Sequence, residues 1–104
     1  MFAILDDEYA RAILKLTNTQ PMSAPQLAAT LDISRPTVYR RIEQLQSLNL
    51  LSETTDIDAD GHHRGIYQAR LDRVIVDLTD DQFSIRINRS DHPADRFTDV
   101  WEGI

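Results

Sequence analysis

The chain has 104 residues, 41% hydrophobic and 27% charged, which is ordinary globular composition and room for one modest core. It has no cysteine, which excludes disulfides, thiolate catalysis and cysteine-ligated zinc. No apolar run approaches the roughly 18 residues of a membrane span.

The first residues, Met1 to Asp6, lack the basic flank and long apolar core of a signal peptide, so a soluble cytoplasmic protein without membrane association is expected. The net charge of -6 and the pI near 4.8 hide an unusual make-up. Ten of the basic residues are arginine, with Lys15 the one lysine, and thirteen of the acids are aspartate. That balance resembles proteins of salt-adapted, haloarchaeal cells; a high-GC genome also favours arginine over lysine. Acidic chains repel nucleic acid, so binding to it requires a local basic face.

In chain order, Asp6 or Asp7 is placed to cap a first helix with Tyr9, Ala10, Ile13, Leu14 and Thr17 on one stripe, ended by Pro21. Ser23 and Gln26 have capping-box spacing for a second helix, with Met22 and Leu27 as its hydrophobic staple. Its apolar face is Leu27, Ala28 and Leu31. Ser34 starts a third helix in which Pro36 falls in the tolerant first turn, and Val38, Ile42, Leu45 and Leu48 trace a buried stripe.

Beyond Asn49 the period changes from helix to strand. Leu50 to Ile57 and Ile66 to Leu71 predict a hairpin, joined by a loop over 58–65 with two glycines. A second hairpin pairs Val74, Val76 and Leu78 with Phe83, Ile85 and Ile87 around a Thr79–Gln82 turn, one face buried and one wet. Pro93 then opens a short terminal helix, with Phe97, Val100, Trp101 and Ile104 at helical spacing.

The segment Leu27 to Ile42, a short helix, a tight turn at Asp32-Ile33-Ser34 and a polar, basic helix start, is a helix-turn-helix arrangement. Gln26 to Ser34, Thr37 to Leu51 and the strand-glycine-strand ending in Ile66-Tyr67 resemble ArsR-like winged helix-turn-helix transcription regulators of bacteria and archaea. The resemblance covers about residues 6 to 71. It implies an α+β fold of three helices and a β-hairpin wing. The additional C-terminal hairpin and short terminal helix lie outside that pattern. We therefore expect a DNA-binding domain over 1–72, with 73–104 an extension of the same domain. Metal sensors of this family carry cysteines that this chain lacks, so the resemblance implies neither metal nor cofactor.

With Val38, Ile42 and Leu45 inward, a 100° step per residue turns Pro36, Thr37, Arg40, Glu43 and Gln44 outward, with Arg35, Tyr39 and Arg41 at the flanks. Residues 33 to 52 carry three arginines against one glutamate, a local basic face in an acidic chain. The helix start, with the Ser34 and Thr37 hydroxyls, suits a phosphate oxygen. Arg40 has the reach for a guanine edge and Gln44 the pattern for adenine. Tyr39 is read either as a DNA contact or as a packing residue. At the wing, His63 and Arg64 are expected near the minor groove, where Arg64 would meet concentrated negative potential.

The expected partner is thus double-stranded DNA, bound by a homodimer formed through the N- and C-terminal helices. The rivals are a winged-helix protein-interaction module, which the acidic charge favours, and a ligand- or metal-responsive sensor. His62 and His63 point apart on an extended chain, which argues against a metal site there. No phosphate loop, nucleophile or acid–base pair suggests an enzyme, and the Asp80-Asp81 pair is explained by turn chemistry.

Overall fold

In the computed structural model the described residues are 2–57 and 60–89, together with the backbone of 97–102. The elements run α1 (Phe2–Asp6), α2 (Glu8–Thr19), β1 (Met22–Ser23), α3 (Ala24–Leu31), α4 (Arg35–Ser47), β2 (Leu51–Ile57), β3 (His63–Ala69), β4 (Leu71–Thr79), β5 (Gln82–Arg89) and β6 (Phe97–Glu102). They fall into two compact units, Met1–Ala69 and Arg70–Ile104.

In the first unit each helix start is fixed by the residue the sequence offers for it. Asp7 caps α2 by accepting from the Ala10 N–H at 2.8 Å. A short helix, α1, precedes that cap and buries Ile4; it was not expected. At α3 the capping box forms in both directions: Ser23 N–H donates to Gln26 Oε1 at 2.8 Å, and Gln26 N–H to Ser23 Oγ at 3.3 Å. Asp32 then takes the left-handed conformation, φ 54°, while the Ile33 N–H donates to the Ala28 carbonyl. Aspartate tolerates that backbone better than most residues. The chain is thereby turned sharply enough for Ser34 to cap α4.

Val38, Ile42 and Leu45 of α4 are buried together with Ile13 of α2 and Leu27 of α3. Leu48, the expected fourth member of the stripe, is only half-buried, because α4 ends there in a Schellman motif. Leu50 N–H reaches the Leu45 carbonyl and Asn49 N–H the Gln46 carbonyl, both at 2.9 Å, with Asn49 left-handed at φ 56°. Leu50, just beyond the helix, is fully buried.

The wing is antiparallel, and the sheet order is β1-β3-β2. Its pairing runs from Leu51↔Ala69 to Ile57↔His63. His63, Arg64 and Gly65 therefore lie on a strand, not in the predicted loop over 58–65. Here cross-strand pairing overrides the loop signal of two nearby glycines. Gly65 pairs with Thr55, and a Cβ there would come within 2.6 Å of Glu53 Oε2 and 3.0 Å of the Tyr67 hydroxyl, so those side-chain ends would have to shift.

The second unit is an antiparallel sheet in the order β4-β5-β6. Asp80 and Asp81, at φ 53° and 64°, form the two-residue turn between Thr79 and Gln82. Two positive φ values are the mark of a type I′ turn, whose twist matches that of the strands. Ile85 and Ile87 are fully buried, but Val76, Leu78 and Phe83 on the same face are 46%, 63% and 42% exposed. The expected buried face thus holds at one end of the hairpin and not at its tip.

The predicted terminal helix is not formed. Phe97–Glu102 is a strand, paired to β5 from Arg89↔Phe97 to Ser84↔Glu102. Helical spacing of four apolar residues competes here with the strand preference of Phe, Thr, Val and Trp and with an available β5 edge. Pairing satisfies the backbone groups of that edge, which an isolated helix of this length does not. Pro93 and Ile104, assigned to the same helix, lie outside the described residues.

Candidate nucleic-acid interface

The solvent face of α4 begins at its N-cap. Ser34 Oγ accepts from the Thr37 N–H at 3.3 Å and hydrogen-bonds the Thr37 hydroxyl at 2.8 Å. Both hydroxyls are thereby gathered at the positive end of the helix dipole. Arg35, Pro36, Tyr39, Arg40, Glu43, Gln44 and Ser47 are exposed, while Thr37 and Arg41 are half-buried. One face of the helix is thus apolar and buried and the other polar and open, as the 100° step requires. Neither Arg35 nor Arg40 joins an ion pair among the described residues.

Arg41 is held differently. Its Nε lies 3.0 Å from Asp7 Oδ2, off the line of a good hydrogen bond, with 19% and 25% of the two side chains exposed. Burial alone would push the Asp7 carboxyl up. The Arg41 guanidinium and the Ala10 and Tyr9 N–H groups outweigh it and hold the carboxyl below the ordinary value of 3.8. One aspartate therefore caps α2 and anchors α4. Alongside the pair runs an open groove of about 340 Å³, lined by Ala3, Ile4, Asp7, Arg41, Gln44, Ser47 and Leu48. Gln44 is exposed at the edge of this groove.

On the wing, Arg64 and Asp56 are cross-strand partners, and Arg64 Nη2 is 3.4 Å from Asp56 Oδ2. His63 is exposed at the first position of β3, opposite Ile57. Nearer the helix, Gln46 Nε2 donates to Glu53 Oε1 at 3.0 Å and ties α4 to β2. Tyr67 is buried beside this contact. Burial above all, then the Glu53 carboxylate and the Tyr39 phenol, raise its pKa above 10.0. Tyr39 is 46% exposed, about half covered and half open to solvent.

Ser34, Arg35, Thr37, Tyr39, Arg40 and Gln44 therefore share the accessible side of α4. Arg41 turns toward α2, and His63 and Arg64 stand apart on the wing. The pairings that sequence reasoning missed are the anchors: Asp7 with Arg41, Gln46 with Glu53, Asp56 with Arg64. Asp7 was identified as a cap, but its pairing across 34 positions leaves no local signal. Asp56 is different: opposite residues of a hairpin can be paired once the register is known.

Among the described residues, no three His, Cys, Asp or Glu side chains come together as metal ligands. No helix among them is long and apolar enough to cross a membrane. Residues 5–54 match the family model described as a helix-turn-helix domain. The match covers α2 to α4 and reaches into β2, so the rest of the wing and the second unit lie beyond it. No curated protein matches the chain.

Proposed function

We propose that the chain is a sequence-specific, double-stranded DNA-binding transcription regulator. In this reading α4 enters the major groove and the wing lies beside the minor groove. The polarity of α4 carries it: Val38, Ile42 and Leu45 are buried behind the helix-turn-helix while Arg35, Arg40 and Gln44 stand open in front. The Ser34 and Thr37 hydroxyls and the Arg35 N–H at the helix start bind a phosphate, with the Arg35 side chain beside them. Arg40 reads a guanine, Gln44 an adenine, and Tyr39 packs along the backbone. Arg41 orients α4, and His63 and Arg64 engage the flanking backbone. Selection of duplexes from a random pool, followed by gel shift on the enriched sequence, tests the reading. Recovery of no enriched sequence overturns it.

We further propose an ArsR-like, haloarchaeal regulator that acts in the cytoplasm as a homodimer, matching the two-fold symmetry of palindromic operators. Phe2, 48% exposed on α1, fits an N-terminal contribution to that interface. We also place DNA binding in residues 1–72, with 73–104 as an extension available to the dimer. Sedimentation velocity tests the assembly, and a monomer at all concentrations overturns it. A protein-interaction module remains the second reading, favoured by the carboxylates that already neutralise Arg41 and Arg64.

A further inference from the structure

The wing presents its arginine already engaged. Asp56 and Arg64 are directly opposite in the β2–β3 register, so both side chains project from the same face of the wing. The pair is long, at 3.4 Å, and open to solvent, with 46% of Arg64 and 53% of Asp56 exposed. Such pairs are weakly held and readily exchanged. Carboxylate and phosphate oxygens bind the same fork of guanidinium N–H donors. A phosphate arriving at the wing must therefore compete with Asp56 for Arg64.

We propose that Asp56 is a built-in competitor for the DNA phosphate, and that the wing engages DNA by exchanging one Arg64 ligand for the other. The inference rests on the DNA-binding reading above and adds a residue that tunes it. When Arg64 turns to a phosphate, Asp56 is left as a bare negative charge beside the backbone. It then recruits a cation as the phosphate releases one. The exchange is close to neutral in counterions, so the wing contributes little to the salt dependence of binding. An arginine with no carboxylate opposite it would contribute a full phosphate contact, changing the logarithmic salt slope by about one.

Fluorescence anisotropy on a labelled mixed-sequence duplex tests this, because a backbone contact needs no operator. Wild type, Asp56→Asn, Arg64→Ala and the double variant are compared from about 0.1 to 1 M KCl, across which the Debye length falls from about 10 to 3 Å. Asp56→Asn is expected to tighten binding about two- to fivefold at the low end, with a steeper salt slope, and to lose that gain at the high end. In the Arg64→Ala background the same substitution is expected to change nothing. An equal gain without Arg64 overturns the exchange and leaves simple repulsion of DNA by Asp56. A loss of affinity in Asp56→Asn also overturns it, by making Asp56 a support that orients Arg64. Equal affinity of wild type and Asp56→Asn overturns it outright. Failure of all four proteins to bind the mixed-sequence duplex while the selected sequence is bound overturns the exchange, and failure on both brings down the DNA-binding reading and this inference with it. Melting curves of the variants confirm that each is folded.

Discussion

Helix α4 and the wing both carry arginines, but the surroundings differ. Arg40 projects from α4 into solvent with no ion pair among the described residues. Arg41, one residue on, is three-quarters covered or more and meets the carboxylate that caps α2. Arg64 is half-exposed and meets a carboxylate across the wing. Three residues of one type thus have three consequences: one is available to a ligand, one is spent on architecture, and one must be won from a competitor. A count of basic residues along the sequence overstates the positive charge that stands open to a ligand.

The sharpest separation is between the two sides of α4. Leu45 is fully buried, and Leu45→Ala is expected to cost about 2–5 kcal/mol of stability through lost burial and the cavity left behind. DNA binding should fall with it only because the helix is no longer held. Arg40→Ala is expected to weaken specific binding by about 1–3 kcal/mol and relax preference at one base pair, with the melting temperature nearly unchanged. Chemical denaturation and gel shift on the selected sequence measure the two quantities side by side. If Arg40→Ala bound as tightly as wild type, α4 would lose its role as the reading helix.

Arg41 should behave in the opposite sense to its neighbour. Asp7→Ala removes a cap and an ion pair together and is expected to cost about 1–2 kcal/mol of stability, mostly through the cap. Arg41→Ala should cost less stability than that and less affinity than Arg40→Ala. The pH dependence has a fixed sign. The Asp7 carboxyl is held below 3.8 in the folded state, so its contribution is complete above that value. It is lost as the pH falls through the lowered folded value. Urea melts of wild type and Asp7→Ala should therefore converge under acid conditions, and a constant gap down to the lowest pH would refute the coupling.

Much of this was legible in the sequence because the governing signals are local. Ser23, Gln26 and Ser34 announce their helices within three residues, and the period of Val38, Ile42 and Leu45 names the buried face of α4. Asp80-Asp81 marks its own turn. The failures share another physical origin. Phe97–Glu102 satisfies both helical spacing and strand propensity, and a partner edge on β5, outside any local window, decides between them. His63 and Arg64 looked like loop until pairing with Asp56 and Ile57 drew them into β3. Arg41 could be placed on a flank of α4 but not matched to Asp7, since nothing in the local pattern encodes a contact between two helices. Faces are written in the sequence; partners are chosen in the fold.

The smallest expected effect is a near absence of salt dependence. For a typical binder each neutralised phosphate adds about 0.9 to the magnitude of the logarithmic salt slope. Of the four arginines on the candidate interface, Arg41 and Arg64 already face carboxylates, which leaves Arg35 and Arg40 as the ready phosphate or base contacts. That bounds the attractive slope at about two per protomer. Opposing it is the net charge of -6 per chain, which repels DNA at long range when the Debye length is about 30 Å, near 0.01 M salt. At molar salt that length is about 3 Å, so the repulsion disappears while close contacts persist. The two dependences run in opposite directions, and the expected result is a shallow or reversed slope, with specific binding retained at molar KCl. Anisotropy on the selected operator from about 0.1 to 2 M KCl measures it directly. A steep loss of affinity over that range would mean that Arg41 and Arg64 are given up to DNA in full, and would remove the distinction between free and engaged arginines.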